Sequence, residues 1–130
     1  MTFCTAVNCM DGRVQRPVID FLSEFFSVEH VDVATEASPV AVLASDRESD
    51  RSKSIYQRID VSINVHGSKG IGIVAHYDCA GNPKPKRGQM EDICKSVSVL
   101  KSRYPDFPVV ALWVDENWSV VEVTPLRVRK

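Results

Sequence analysis

Residues 71–83 read IGIVAHYDCAGNP, and this stretch decides the fold class. Its first five residues, Ile71 to Ala75, form a continuous apolar run of the kind that makes a strand buried on both faces. From His76 to Pro83 the segment is rich in residues that form turns. A buried strand that runs directly into a polar turn is typical of a parallel sheet covered by helices.

Strand and helix patterns alternate on both sides of this stretch. Short apolar or alternating runs predict further strands at 2–8, 28–34, 109–114 and 119–123, the last after a hairpin turn at 115–117. Apolar residues at steps of three or four predict helices at 17–27, 52–66 and 90–104, whereas 35–51 is interpreted as a loop with one or two helical turns. Strands separated by helices pair in parallel through right-handed crossovers. We therefore predict an α/β fold, a single domain over residues 1–130 with a mainly parallel sheet of about four to five strands and flanking helices.

Length and charge restrict the function classes. A chain of 130 residues buries enough core to fold without disulfides. The net charge of −1 argues against a broad basic surface for nucleic acid, and only a small basic patch is predicted at 125–130. The first residues lack the pattern of a signal peptide, and no apolar run approaches membrane-spanning length. We expect a cytoplasmic protein with neither nucleic acid nor a membrane as partner.

Two short segments carry the chemistry. Cys-Met-Asp-Gly-Arg at 9–13 and His-Tyr-Asp-Cys at 76–79 each follow a predicted buried strand directly. In open parallel sheets, ligands bind beyond the carboxyl ends of the strands, where the chain winds in opposite directions from two neighbouring strands. If the first and third strands are neighbours, both segments meet in that crevice.

Cys9, His76 and Cys79 are the candidate metal ligands. Two thiolates and one imidazole suit Zn²⁺, and a reducing cytosol makes metal binding a better explanation for these cysteines than a disulfide. Three protein ligands leave a fourth position open, as in catalytic zinc sites. A water bound there has its pKa lowered toward roughly 7 to 9.

Asp11 and Arg13 are the candidate catalytic residues. A carboxylate at Asp11 can accept a hydrogen bond from the bound water, and Arg13 can hold that carboxylate ionised in a two-pronged pair. Asp11 also offers an oxygen to the metal, so that it could instead fill the fourth position and exclude water.

These two motifs resemble those of the β-class carbonic anhydrases, which carry Cys-x-Asp-x-Arg after the first sheet strand and His-x-x-Cys after a later one. The resemblance implies that Cys9, His76 and Cys79 bind zinc and that Asp11 and Arg13 form a catalytic pair. It also implies a β-carbonic-anhydrase-like sheet and hydration of CO2 to bicarbonate by zinc hydroxide. A homodimer or a higher homo-oligomer is implied as well. The family usually has glycine directly after the second cysteine, whereas here Ala80 precedes Gly81.

Other functions remain open from the sequence. The same zinc hydroxide could attack COS or CS2, and a non-catalytic zinc-binding module would result if Asp11 filled the fourth position permanently. Without a metal, the cysteines would be packing residues, His76 a loop histidine, and Asp11 with Arg13 a surface ion pair.

The remaining candidates have structural interpretations. Cys4 and Cys94 are predicted to pack in the core, His30 and His66 to be structural, and Trp113 and Trp118 to lie in the core or an interface. The basic run Lys84, Lys86 and Arg87 is read as a solvated loop that could rim an anion site.

Overall fold

The computed structural model describes residues 1–124, within which the chain forms five strands and four α-helices. The strands are β1 (Phe3–Cys9), β2 (His30–Glu36), β3 (Ile71–His76), β4 (Val109–Val114) and β5 (Val120–Glu122). The helices are α1 (Gln15–Phe26), α2 (Pro39–Ser45), α3 (Asp50–Asn64) and α4 (Lys86–Arg103). The basic patch predicted at 125–130 lies outside the described residues.

One sheet carries all five strands in the order β2-β1-β3-β4-β5. The first four strands pair in parallel, and β5 pairs antiparallel with β4 across the predicted hairpin turn. β1 and β3 are direct neighbours, with Ala6 opposite Gly72. The adjacency on which the metal prediction depended is therefore present.

Helices cover both faces of the sheet. α1 packs on β1 and β2 from one side, and α3 and α4 pack on the sheet from the other. The connection changes face between the β1–α1–β2 unit and the units that follow it. In a sheet of this order the ligand crevice lies between β1 and β3.

The contact between α1 and the sheet depends on one small residue. Val18 and Leu22, four residues apart on α1, are fully buried. Leu22 lies over Gly72, where an added Cβ would come within 2.8 Å of Leu22 Cδ1. The missing side chain at Gly72 thus lets α1 approach the middle of the sheet.

The second strand begins two residues later than the sequence pattern predicted. Ser27 ends α1 in the left-handed conformation, at φ 55°. The N–H of Val28 then donates to the Ser23 carbonyl at 2.9 Å, which satisfies a terminal carbonyl of the helix. Val28 therefore belongs to the helix cap, and β2 starts at His30.

Capping residues also explain where the later helices start. The prediction of helical turns within 35–51 agrees with α2, which has Ser38 as its cap and Pro39 in its first turn. Ser49 accepts the N–H of Ser52, so α3 begins at Asp50. The helix that carries Lys86 and Arg87 starts at Lys86, and the loop prediction for those two residues was wrong. Within residues 1–124, no helix has both the length and the apolarity needed to cross a bilayer.

Leu22→Ala should lower the free energy of unfolding by about 2 to 5 kcal/mol. The substitution removes a fully buried side chain, and the close-packed sheet cannot move to fill the cavity that is left. Urea denaturation followed by circular dichroism measures this change. Glu24→Ala, an exposed position on the same helix, is the control and should stay within about 0.5 kcal/mol of the parent. Equal losses in both variants would contradict the packing described for α1.

Candidate metal centre

Three side chains from distant parts of the sequence converge at the carboxyl edge of the sheet. Cys9 is the last residue of β1, His76 is the last of β3, and Cys79 follows in the next turn. All three are buried, and their candidate ligand atoms lie within 4.8 Å of one another. The two Sγ atoms are 3.9 Å apart. Tetrahedral zinc with Zn–S bonds of about 2.3 Å separates two sulfurs by about 3.8 Å, so the cluster has the right size for that ion.

The imidazole of His76 is oriented for metal binding. Its Nδ1 lies 2.7 Å from the carbonyl oxygen of Tyr77. Since a carbonyl only accepts, Nδ1 carries the proton and Nε2 keeps its lone pair. Nε2 is buried and has no hydrogen-bond partner among residues 1–124. Buried polar atoms are rarely left without a partner, and a metal ion between the two sulfurs would satisfy this one.

The environment of the thiols favours a charged sulfur. The contact with Cys79 lowers the pKa of Cys9; burial opposes this shift, and the neighbouring His76 ring and the backbones of Ser38 and Asp11 reinforce it. The same contact, together with burial, raises the pKa of Cys79. Two adjacent thiolates repel each other, so without a cation the pair retains a proton. A divalent cation removes this conflict and lets both sulfurs ionise.

A network of amide side chains fixes the position of Cys9. The N–H of Cys9 donates to Asn8 Oδ1 at 2.9 Å, and Asn8 Nδ2 donates to the carbonyl of Val14 at 3.2 Å. Gln15 Nε2 donates to the carbonyls of Cys9 and Asp11, at 2.7 and 2.8 Å. Neither Asn8 nor Gln15 was predicted from the sequence to take part in the site. A fully buried asparagine at the end of an apolar strand was the available signal for the first.

The turn that carries Cys79 packs against the start of α2 through a glycine. A Cβ added at Gly81 would lie 2.9 Å from the backbone carbon of Ala37. Backbone N–H groups of Gly81 and Asn82 favour the charged form of Cys79. Glycine at position 81 rather than 80 is therefore the residue that allows the close approach of the two segments.

Asp11 and Arg13 form the two-pronged pair that the sequence predicted. Arg13 Nε donates to Asp11 Oδ1 at 3.1 Å, and Nη2 donates to Oδ2 at 2.7 Å. The backbone N–H of Arg13 also donates to Oδ1, at 2.9 Å. Hydrogen bonds from Arg13 lower the pKa of Asp11 to about 2 and raise the pKa of Arg13. Asp11 is thus a carboxylate at neutral pH.

Two further residues contact Arg13, and neither contact was predicted from the sequence. Nη1 donates to Asp78 Oδ2 at 3.2 Å, and Nη2 donates to the Asp78 carbonyl at 3.1 Å. The guanidinium carbon lies 4.4 Å from the ring centre of Trp118. Trp118, predicted to lie in the core or an interface, is partly buried against the core, and the guanidinium carbon of Arg13 lies over its ring.

The other candidates lie outside the cluster. Cys4 is buried within β1, where burial raises the pKa of its thiol to about 11, and Cys94 is half-buried on α4. His66 Nδ1 bonds to Asp32 at 2.7 Å, and the ring of His30 packs on Phe3.

The predicted basic run meets different partners. Lys84 Nζ lies 3.0 Å from the buried carboxylate of Asp92, and this ion pair balances the charges of the two side chains. Lys86 lies over the ring of Trp113. Trp113 was predicted to lie either in the core or in an interface, and it is buried in the core.

Comparisons with known proteins identify similar sequences and folds. Residues 1–124 match a family model described as "Putative carbonic anhydrase". Among solved structures, the chain resembles one of two tetrameric β-carbonic anhydrases from Sordaria macrospora, with a TM-score of 0.60 and 10% sequence identity over 93% of this chain and 80% of the other. It also resembles the β-carbonic anhydrase CafA of Aspergillus fumigatus, with a TM-score of 0.58 and 12% identity over 95% of this chain and 76% of the other. No curated protein sequence matches the chain.

At such low sequence identity, the structural matches show a shared fold and nothing more. The predicted α/β class, with a five-stranded and mostly parallel sheet between helices, is confirmed by the structure and by these neighbours.

Cys79→Ser should sharply reduce the amount of zinc retained after purification, because a hydroxyl is a much poorer zinc ligand than a thiolate. Elemental analysis of protein purified without added metal measures the content. Cys94→Ser is the matched control, since its sulfur lies outside the cluster, and it should keep the parent metal content. Equal metal content in the parent and the Cys79 variant would argue against the site.

Proposed function

Because the chain belongs to the family described as "Putative carbonic anhydrase", we propose that it is a zinc enzyme that reversibly hydrates CO2 to bicarbonate. The observation that carries the proposal is the buried convergence of Cys9, His76 and Cys79. The unpartnered Nε2 of His76 and the sulfur spacing support zinc as the cofactor.

Cys9, His76 and Cys79 would hold the zinc ion. When bound, zinc supplies Lewis acidity, which lowers the pKa of a coordinated water to about 7, a magnitude known from carbonic anhydrase. The Tyr77 carbonyl keeps the proton of His76 on Nδ1 and so leaves Nε2 for the ion. Asn8 and Gln15 hold the backbone that carries Cys9.

Asp11 would orient the attacking water. A carboxylate offers about four acceptor positions, and Arg13 uses two on Oδ1 and one on Oδ2. Oδ2 therefore retains capacity to accept one more hydrogen bond, from a water that enters the crevice. Because Asp11 is ionised, it cannot donate a hydrogen bond to the oxygen of that water, and the lone pair directed at CO2 stays available.

Arg13 would keep Asp11 in this role. Its guanidinium bonds both carboxylate oxygens, which restrains the carboxylate from turning to the metal as a fourth ligand. This pairing supports an enzyme over the non-catalytic zinc-binding module, in which Asp11 would fill the fourth position. Hydrolysis of COS or CS2 would use the same residues, so the substrate has to be tested directly.

The chain would act as a homo-oligomer. The similar enzymes from Sordaria macrospora are described as tetrameric. Apolar side chains are exposed near the site, including Met10 at 61%, Tyr77 at 49% and Val121 on the edge strand at 46%. Exposed apolar groups next to an open sheet edge favour association with another chain. The cytoplasmic location stays a prediction from the sequence.

Asp11→Ala should keep zinc and lose most CO2 hydration, because it removes the carboxylate proposed to orient the water. Stopped-flow hydration with a pH indicator, read beside zinc content, tests this expectation. Asp20→Ala replaces an exposed carboxylate on α1 and should leave the rate unchanged. A zinc-loaded parent with no rate above buffer would refute the proposed reaction. An unchanged rate for Asp11→Ala would refute only the role of Asp11.

Sedimentation velocity should show a particle heavier than one chain for the parent protein. Val121→Lys places a charge on the exposed face of β5 and should shift the distribution toward the single chain. Glu122→Lys changes an exposed charged residue on the same strand and serves as the comparison. A single-chain mass for the parent across the accessible concentration range would contradict the oligomer.

A further inference from the structure

Arg13 has more partners than its pair with Asp11 requires. Besides the bonds to Asp11, its Nη1 and Nη2 donate to the side chain and the carbonyl of Asp78. The guanidinium carbon lies over the ring of Trp118, 4.4 Å from the ring centre. Asp78 thus accepts from both terminal nitrogens of Arg13, and Trp118 adds a cation–π contact.

These partners arrive from different strands. Arg13 follows β1, Asp78 lies in the turn after β3, and Trp118 lies between β4 and β5. The guanidinium therefore contacts residues that follow β3 and β4, and it belongs itself to the segment that follows β1. These contacts lie beside the cluster of candidate metal ligands. A surface arginine with a single local carboxylate would have no such arrangement.

Both partners adopt a backbone conformation that most side chains avoid. Asp78 has φ 59° and Trp118 has φ 60°. Aspartate tolerates the left-handed region, but a bulky aromatic residue there is rare. Trp118 ends a hairpin turn in which its N–H donates to the Asp115 carbonyl at 2.9 Å, a position that usually carries glycine. Residues kept in unfavourable conformations cluster at functional sites, and here the conformation places the ring on Arg13.

We propose that Asp78 and Trp118 are positioning residues that clamp the Arg13 guanidinium, so that Asp11 stays bound to Arg13 and does not turn to the metal. This inference rests on the proposed function, which assigns Asp11 its task, but the clamp is a property of the chain that can be measured without metal. Asp78 supplies the in-plane restraint and Trp118 supplies the stacking surface.

The variants are chosen so that the backbone is preserved. Asp78→Asn keeps a residue that tolerates the left-handed region and keeps the carbonyl bond to Nη2, while it removes the charge opposite Nη1. Trp118→Gly suits the turn better than tryptophan and removes the ring. Trp118→Phe restores an aromatic face, and Asp20→Asn is the control for a lost carboxylate far from Arg13.

The first measurement uses metal-free protein. The Nε–H of Arg13, assigned by its loss in Arg13→Lys, donates to Asp11 and should exchange slowly with water in a ¹⁵N nuclear magnetic resonance experiment. Its exchange should speed up severalfold in Asp78→Asn and in Trp118→Gly, and return toward the parent rate in Trp118→Phe. Asp20→Asn should match the parent. Exchange that is unchanged in both test variants would overturn the clamp.

The second measurement uses zinc-loaded protein. Both test variants should retain zinc and lose about tenfold in CO2 hydration, the lower end of what losing an outer partner of a metal site costs, with recovery in Trp118→Phe. Faster Nε–H exchange with an undiminished rate in an active parent would overturn the positioning role. If the parent itself is inactive, the proposed function fails, and the exchange measurement alone still decides whether Asp78 and Trp118 clamp Arg13.

Discussion

The parallel pairing of β1 with β3 is the constraint on which the rest of the structure depends. It places the last residue of β1 beside the last residue of β3, so that the sulfur of Cys9 and the imidazole of His76 reach one point. Residues 67 positions apart meet there because two neighbouring strands end at the same edge. The change of face by the connecting chain places a crevice at this edge, and the three side chains are buried in it.

Without a bound cation, the cluster of Cys9, His76 and Cys79 lowers the stability of the folded protein. Nε2 of His76, which has no hydrogen-bond partner within residues 1–124, is buried beside two adjacent thiols. Burying this nitrogen costs free energy because its hydration is lost and little replaces it. A cation that binds only the folded chain would return this free energy, so metal binding and folding are expected to be coupled.

Strain in the backbone is concentrated around the same place. Four non-glycine residues have positive φ within the described chain, and Ser38, Asp78 and Trp118 among them contact the cluster or Arg13. The fourth, Ser27, ends a helix, where this conformation is ordinary. The left-handed region costs about 1 to 2 kcal/mol for a residue with a side chain. The well-packed parallel sheet stabilises these turns well enough to hold them in unfavourable geometry.

The sequence by itself determined the strands and most helices, and it contains the two motifs whose five residues lie together in the structure. Apolar runs and helical spacing are local signals, and the softness of thiolate and imidazole ligands is a property of the side chains alone. The predictions from the sequence were wrong at the ends of elements, as at Val28 and Lys86. There, local capping geometry decides where an element begins or ends, and the apolar pattern does not.

Only the tertiary structure decided that β1 and β3 are neighbours, that Gly81 packs on Ala37, and that Asp78 and Trp118 contact Arg13. These contacts join residues far apart along the chain, and no local pattern encodes which partner a strand end will meet. Strand order and turn geometry decide that, because they set the distances between side chains whose chemistry is already given.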